Sequence, residues 1–394
     1  MLNRRNLRIK AMQTLFAYQQ CRKSNQEIAW QDLCLAYFGE EAYSASPDFF
    51  EETEEREDPE PVTEPKVIAK ERIEEERLLK DALEQSLKKP DNLPKTDFDQ
   101  YLKPVIAAYQ QRLKSDRKHL RTRMLKEVEG LNDLFKWILS LFLALRDHEQ
   151  HSMSKKQISE PQDKLYLAEI QPLDILEQRL QGIEVPTWKN HSDRVAQWLK
   201  EIKQHDQVSD QLDQASQSWE HQIKFLRFLF KSVLWKSETF QNFFEEHDMG
   251  WNENKDIIKS LVNKTLKSID EEGVDLAPIS YQWEEDSQFF EEVFDHTLDH
   301  EETTDALIAQ QAKNWDSDRI AQLDMVILKM ALSEMIKFPS IPVKVTINEY
   351  IELSKRYSTP KSKGFINGIL DVLSAELTAN GTIKKSGRGL IDNK

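Results

Sequence analysis

Chain breaks are scarce: only 10 glycines and 14 prolines interrupt 394 residues. Sheet-rich folds need turn punctuation at much shorter intervals. Between the breaks, apolar residues recur with helical rather than alternating spacing, as at Leu7, Ala11, Leu15 and Tyr18. The pattern predicts an all-α chain. Its length suits two or three ordinary domains, or one domain with a large insertion.

Five regions follow from the pattern. Residues 1–34 open with a basic helix, from about Leu7 to Gln20. Residues 35–100 form an acidic arm, expected to be disordered or loosely helical. Its stretch 51–60, EETEEREDPE, holds seven acids and one Arg, and Pro59, Pro61 and Pro65 follow closely. Such a segment buries too little apolar surface to offset its ordering entropy. Within the arm, IAKERIEEERLLKDALEQSL sets opposite charges at helical spacing and reads as a solvated helix.

Residues 101–280 are expected to be helical, partly insertion. LNDLFKWILSLFLALR, Leu131 to Arg146, is apolar on most sides, as a core helix requires. Further helices are predicted over Ile223–Trp235 and Lys255–Ile269. Residues 281–380 form a C-terminal helical subdomain, with helices over Asp286–Thr297, Ile320–Ile336, Val345–Tyr357 and Phe365–Leu377. Residues 381–394 read as a flexible basic tail.

The net charge of -15 argues against general nucleic-acid affinity if it were spread evenly. It is not. Arg4, Arg5, Arg8, Lys10, Arg22 and Lys23 give residues 1–23 a net +6, and the chain from Lys337 onward has +5, leaving -26 between them. Two basic ends flank an acidic body. The densest acidic segment, residues 48–65, carries nine acids against one Arg. It reads as a solubilising linker or as a competitor for the chain's own cations.

RRNLRIKAMQTLF places Arg5, Arg8, Met12 and Phe16 along one side of a helix. Guanidiniums can hold phosphates while a ring stacks an unpaired base. A basic helix over a core Phe16 fits equally well. In the second basic segment, Pro342 can start a helix. The loop STPKSKG then presents Lys361 and Lys363 between Tyr357 and Phe365. Aromatics bracketing a cationic loop suit single-stranded RNA. An ordinary helix–loop–helix with both rings in the core is the competing reading.

Catalytic signatures are missing: there is no GxxxxGK[ST], GxGxxG after a strand, HExxH or GxSxG. A non-enzymatic protein without a cofactor is expected. His296 and His300, four apart beside Asp295 and Asp299, could hold zinc. A solvated acidic helix face is the favoured alternative. Cys21 and Cys34 show no disulfide or metal spacing. The most apolar run, Leu134 to Leu145, falls short of the roughly 20 residues of a membrane span. The start lacks the apolar stretch of a signal peptide. These features predict a reduced, cytoplasmic protein.

At its two basic segments the chain resembles the NusB family. RRNLRIKAMQTLFAYQQ is similar to a first helix that typically reads R-x-x-A-R-x-x-A-x-Q-x-L-Y, with Arg5, Arg8, Ala11, Gln13, Leu15 and Phe16 at motif positions and Leu7 where Ala is usual. The stretch IPVKVTINEYIELSKRYSTPKSKGFINGILD resembles IP-x-KV-x-INE-x-x-x-L-x-K … F-[VI]-NG-[VI]-LD. Gly364 stands where a basic residue is usual. The resemblance implies two small helical bundles and binding of boxA-type nascent RNA with a small-subunit ribosomal protein, NusE. It also implies transcription antitermination within the elongation complex, with no membrane partner. By position, the RNA surface would include Arg4, Arg5, Arg8, Phe16, Tyr357, Lys361, Lys363 and Phe365. The alternative is a protein–protein scaffold on the same fold, working through the acidic insertion.

Overall fold

The computed structural model describes residues 2–39, 65–88, 98–154, 166–215, 218–312 and 321–393. They contain helices and connections and no strand. The acidic segment 48–64 lies outside the described residues. By contacts the chain divides into two units: residues 1–7 with 125–290, and residues 8–124 with 291–394.

Helix α1 (Arg4–Phe38), α2 (Pro65–Lys88) and α3 (Asp99–Ser154) come first. The first unit takes the later part of α3, then α4 (Pro172–Leu180), α5 (Ser192–Gln204), α6 (Val208–Ala215) and α7 (Trp219–Phe228). Helix α7 runs into a π turn (Leu229–Val233) and a 3-10 turn (Leu234–Lys236), and then come α8 (Glu238–His247) and α9 (Trp251–Ser268). Leu139, Leu141, Phe142 and Leu145 of α3 are fully buried, as the apolar run predicted. Around Trp137 the core is aromatic: Trp188 stacks on it at 4.9 Å, and Phe244 stacks on Trp251 at 5.0 Å. Three indoles find acceptors: Trp188 in Ser140 Oγ, Trp198 in Thr239 Oγ1 and Trp251 in Gln241 Oε1, each at 3.0 Å. Those bonds let large rings be buried without a desolvation penalty.

The second unit holds most of α1, α2 and the first half of α3, then the end of α10 (Trp283–Asp299) from Glu291 onward, α11 (Glu301–Gln311), α12 (Gln322–Lys337), α13 (Val343–Tyr357) and α14 (Ser362–Ala379). Two of its features differ from the sequence expectation. Helix α2 is not a solvated rod. Leu79, Ala82, Leu83 and Ser86 form a buried stripe that packs with Ala29 and Leu33 of α1 and with Leu102, Val105, Ile106 and Tyr109 of α3. A stripe at i, i+3, i+4 and i+7 is enough to dock a helix whose other faces are charged. Nor does the tail hang free up to residue 393. Gly381 (φ 77°) ends α14, Ile383 is buried, and Ser386 N donates to Pro339 O at 3.0 Å. Gly389 comes so near that a Cβ would lie 2.0 Å from Pro339 O, so only glycine fits there.

Helix α12 is the centre of this unit. Val326, Ile327, Leu328, Met330, Ala331, Leu332 and Met335 are all buried, so the helix is covered on every side. Three charged residues on it, Asp324, Lys329 and Glu334, are buried too. Each must have partners, because an unpaired buried charge costs several kcal/mol. Those partners position the candidate site.

Candidate nucleic-acid interface

Glu334 is fully buried and gathers four donors. Arg8 of α1 grips it with both arms, Nε to Oε2 at 2.7 Å and Nη2 to Oε1 at 2.8 Å. Thr346 Oγ1 donates to it at 2.9 Å and Tyr350 Oη at 3.1 Å, both from α13. Glu349 adds a carboxylate 3.8 Å from Arg8 Nη1. Burial alone would lower the Arg8 pKa, but the Glu334 charge and its hydrogen bonds raise it instead. Burial and the Glu334 carboxylate push the Tyr350 hydroxyl well above its ordinary value.

Arg8 is therefore not on an RNA surface. It is 3% exposed and its fork is filled by a carboxylate, so no phosphate can reach it without breaking the pair. The N-terminal charge is thinned in other places as well. Lys10 is buried, and Arg22 pairs with Glu301 at 2.6 and 3.0 Å. Lys329 joins the same Glu301 at 2.7 Å and Asp305 at 2.9 Å. Burial opposes ionisation of Glu301, but Arg22 and Lys329 hold its pKa below the ordinary carboxylate value. In the first unit, Arg4 is partly exposed, bonds Asp286 at 3.4 Å and lies 5.0 Å over the Phe289 ring. Arg5 is exposed. Phe16, in the second unit, is partly exposed.

The C-terminal segment is arranged differently. Pro342 caps α13 at φ -60°, and the chain leaves the helix after Tyr357 through extended Ser358. Ser358 Oγ donates to the buried carboxylate of Asp324 and also meets Ser362 Oγ at 2.9 Å. Thr359 Oγ1 meets Ser362 Oγ at 2.8 Å. This hydroxyl chain ties the turn between α13 and α14 to α12. The tied turn leaves Lys361 and Lys363 exposed, with Lys355 and Arg356 exposed just before it. Tyr357 is partly exposed, and the Arg356 guanidinium lies 5.3 Å from its ring centroid. Phe365 is not part of this surface: at 6% exposure it belongs to the core of α14, with Ile366, Ile369 and Leu370. Gly364 faces open space, so the side chain that the resemblance expects there would fit but is missing.

His296 and His300 stack at 3.9 Å. Burial, helped by His300 and Lys337, lowers the His296 pKa to about 4. The neighbouring carboxylates are engaged: Asp295 and Asp299 take Arg117, at 2.8 and 2.6 Å. Among the described residues no group of three or more His, Cys, Asp or Glu is placed to hold a metal. No helix among them is long and apolar enough to cross a membrane.

Residues 254–375, from α9 to α14, match the model described as NusB family. The C-terminal part of this chain is therefore similar to the NusB family. Three curated relatives, each named transcription antitermination protein NusB, agree. The relative from Salinibacter ruber is 45% identical over 103 residues, which is 26% of this chain and 64% of that protein. The one from Chloroherpeton thalassium is 38% identical over 137 residues, 35% and 62% of the two chains. The one from Natranaerobius thermophilus is 41% identical over 90 residues, 23% and 65%. The chain thus spans a little under two thirds of these relatives. No solved structure matches it. The NusB match begins at residue 254, within α9, upstream of the boundary at 281 that the sequence pattern predicts. It holds Glu334, Thr346 and Tyr350, while Arg8 lies outside it.

Sequence reasoning missed Lys355 and Arg356, and also Asp324 and Glu334. A signal for the last two was present: single charges inside the apolar run DMVILKMALSEMIK demand buried partners.

Proposed function

We propose that this chain is a non-enzymatic RNA-binding transcription antitermination factor of the cytoplasm. In this reading it binds boxA-type nascent RNA together with the small-subunit ribosomal protein NusE, within the elongation complex. The observation that carries the reading is the match of residues 254–375 to the NusB family, with curated relatives that bear the antitermination name. The tied turn supports it. Lys361 and Lys363 project from a turn fixed at both ends, so little loop entropy is lost when they meet phosphate. The exposed part of Tyr357 offers a surface for an unpaired base. Arg5 and Arg4 remain candidate contacts on the first unit. Arg8 and Phe365 act through the fold.

The test is binding of a boxA-type RNA oligonucleotide to the full chain, with and without NusE. Tight binding that NusE strengthens is expected. NusE binding that RNA neither needs nor strengthens would favour the scaffold alternative.

A further inference from the structure

A second cationic surface lies in the first unit, where no sequence motif announces it. Arg227 ends α7, Lys231 sits in the π turn, and Trp235 follows in the 3-10 turn, each about one turn after the last. Helix α9 runs alongside. Arg227 Nε donates to Asn263 Oδ1 at 3.0 Å, and Lys259, one turn before Asn263, holds its ammonium 5.3 Å from the Trp235 ring centroid. Lys231 therefore lies between two cross-links, one at each end, with a cation in each. Arg227, Lys231, Trp235 and Lys259 are all partly exposed.

Among the described residues, none of these three cations forms an ion pair with a carboxylate. Asp256, one turn before Lys259 on α9, does not pair with it. Burial, and then Arg227 and Lys259, lower the Lys231 pKa from its ordinary value. Crowding three like charges without a counter-ion opposes folding. Acids abound in a chain of net charge -15, yet even the neighbouring Asp256 does not neutralise these cations. The π turn is a second irregularity, because such turns are rare and recur at functional sites. Trp235 steadies Lys259 through the face of its ring and leaves the positive charge unneutralised.

We propose that Arg227, Lys231 and Lys259 form a second site for the backbone phosphates of single-stranded RNA. The site rests on the RNA-binding reading above and extends it to a surface mostly outside the family match, since only Lys259 falls within residues 254–375.

The test uses the full chain and a labelled single-stranded RNA of roughly 25 nucleotides, long enough to meet several phosphate sites. Lys231→Gln/Lys259→Gln is compared with wild type and with Lys361→Gln/Lys363→Gln between about 50 and 200 mM salt. Loss of two phosphate contacts should weaken binding roughly tenfold at low salt and flatten the log–log salt slope by about 1.4. The melting temperature should hold or rise, because a repulsion has been removed. Wild-type affinity and slope in Lys231→Gln/Lys259→Gln, with a loss in the loop variant, would overturn this site and leave the proposed function standing. A wild-type chain that binds no RNA would overturn both. If the double variant melts early, Lys259→Gln alone carries the test, with half the slope change expected and an unchanged slope counting against the site.

Discussion

The two basic segments look alike in sequence and meet opposite fates. On α1, Arg8 and Lys10 turn inward and Arg22 pairs with an acid, so the helix uses its charge to assemble the second unit. At the turn after α13, Lys355, Arg356, Lys361 and Lys363 all stay exposed, although Lys355 also pairs with Glu352 on its own helix. The difference lies in what faces them. Buried Glu334 faces Arg8, whereas Asp324, the buried carboxylate nearest the turn, is satisfied by the Ser358 hydroxyl and needs no cation. Local density of positive charge therefore does not locate a nucleic-acid surface. The position of buried carboxylates decides which cations turn inward and which stay exposed.

The largest effect expected from this contrast is on stability. Arg8→Ala strands the Glu334 carboxylate in the core and should cost roughly 3–5 kcal/mol in chemical denaturation. Glu334→Ala should cost a similar amount, and a double change to well-packed apolar residues should recover much of it. If Arg8→Ala melted like wild type but lost RNA affinity, the contrast between the segments would collapse.

Phe365 sharpens the same point within the C-terminal segment. Phe365→Ala should cost about 3–5 kcal/mol of stability, as deletion of a buried ring does, and leave RNA affinity of the folded fraction unaltered. Tyr357→Ala should do the reverse, with about 1–3 kcal/mol lost in RNA binding if a base stacks there. Measuring denaturation and RNA titration on both variants separates core ring from surface ring.

A smaller effect is pH dependence at α10. His296 is surrounded by His300, Lys337, Asp299 and Glu292, and its folded pKa is about 4 against an ordinary value of 6.5. The unfolded chain therefore takes up the proton first, and stability should fall as pH drops from 6.5 toward 4, with no contribution above that window. His296→Gln should flatten the melting temperature over that range. An equally steep profile in the variant would assign the acid sensitivity to other groups.

How much of this was legible in the sequence depends on distance along the chain. Helices α13 and α14 lie within a few residues of their predicted spans, because local periodicity, Pro342 and Gly381 define them. The exposed Lys361 and Lys363 followed from a polar turn between two such helices. The fate of Arg8 did not, because its partner is 326 residues away and periodicity carries no information at that separation. The docking of α2 was hidden for a related reason. Its narrow apolar stripe is diluted by charge, and the surface it packs against comes from α1 and α3. The predicted Leu131–Arg146 core helix is part of the 56-residue α3, which neither Pro104, near its start, nor Gly130 interrupts.

Under the proposed function the turn after α13, and not Arg8, supplies phosphate contacts. The salt dependence of RNA binding by Lys361→Gln/Lys363→Gln tests it most directly. Two lost contacts should lower the log–log slope by about 1.4 while the melting temperature stays at the wild-type value. A slope and an affinity identical to wild type, in a variant that is fully folded, would contradict it.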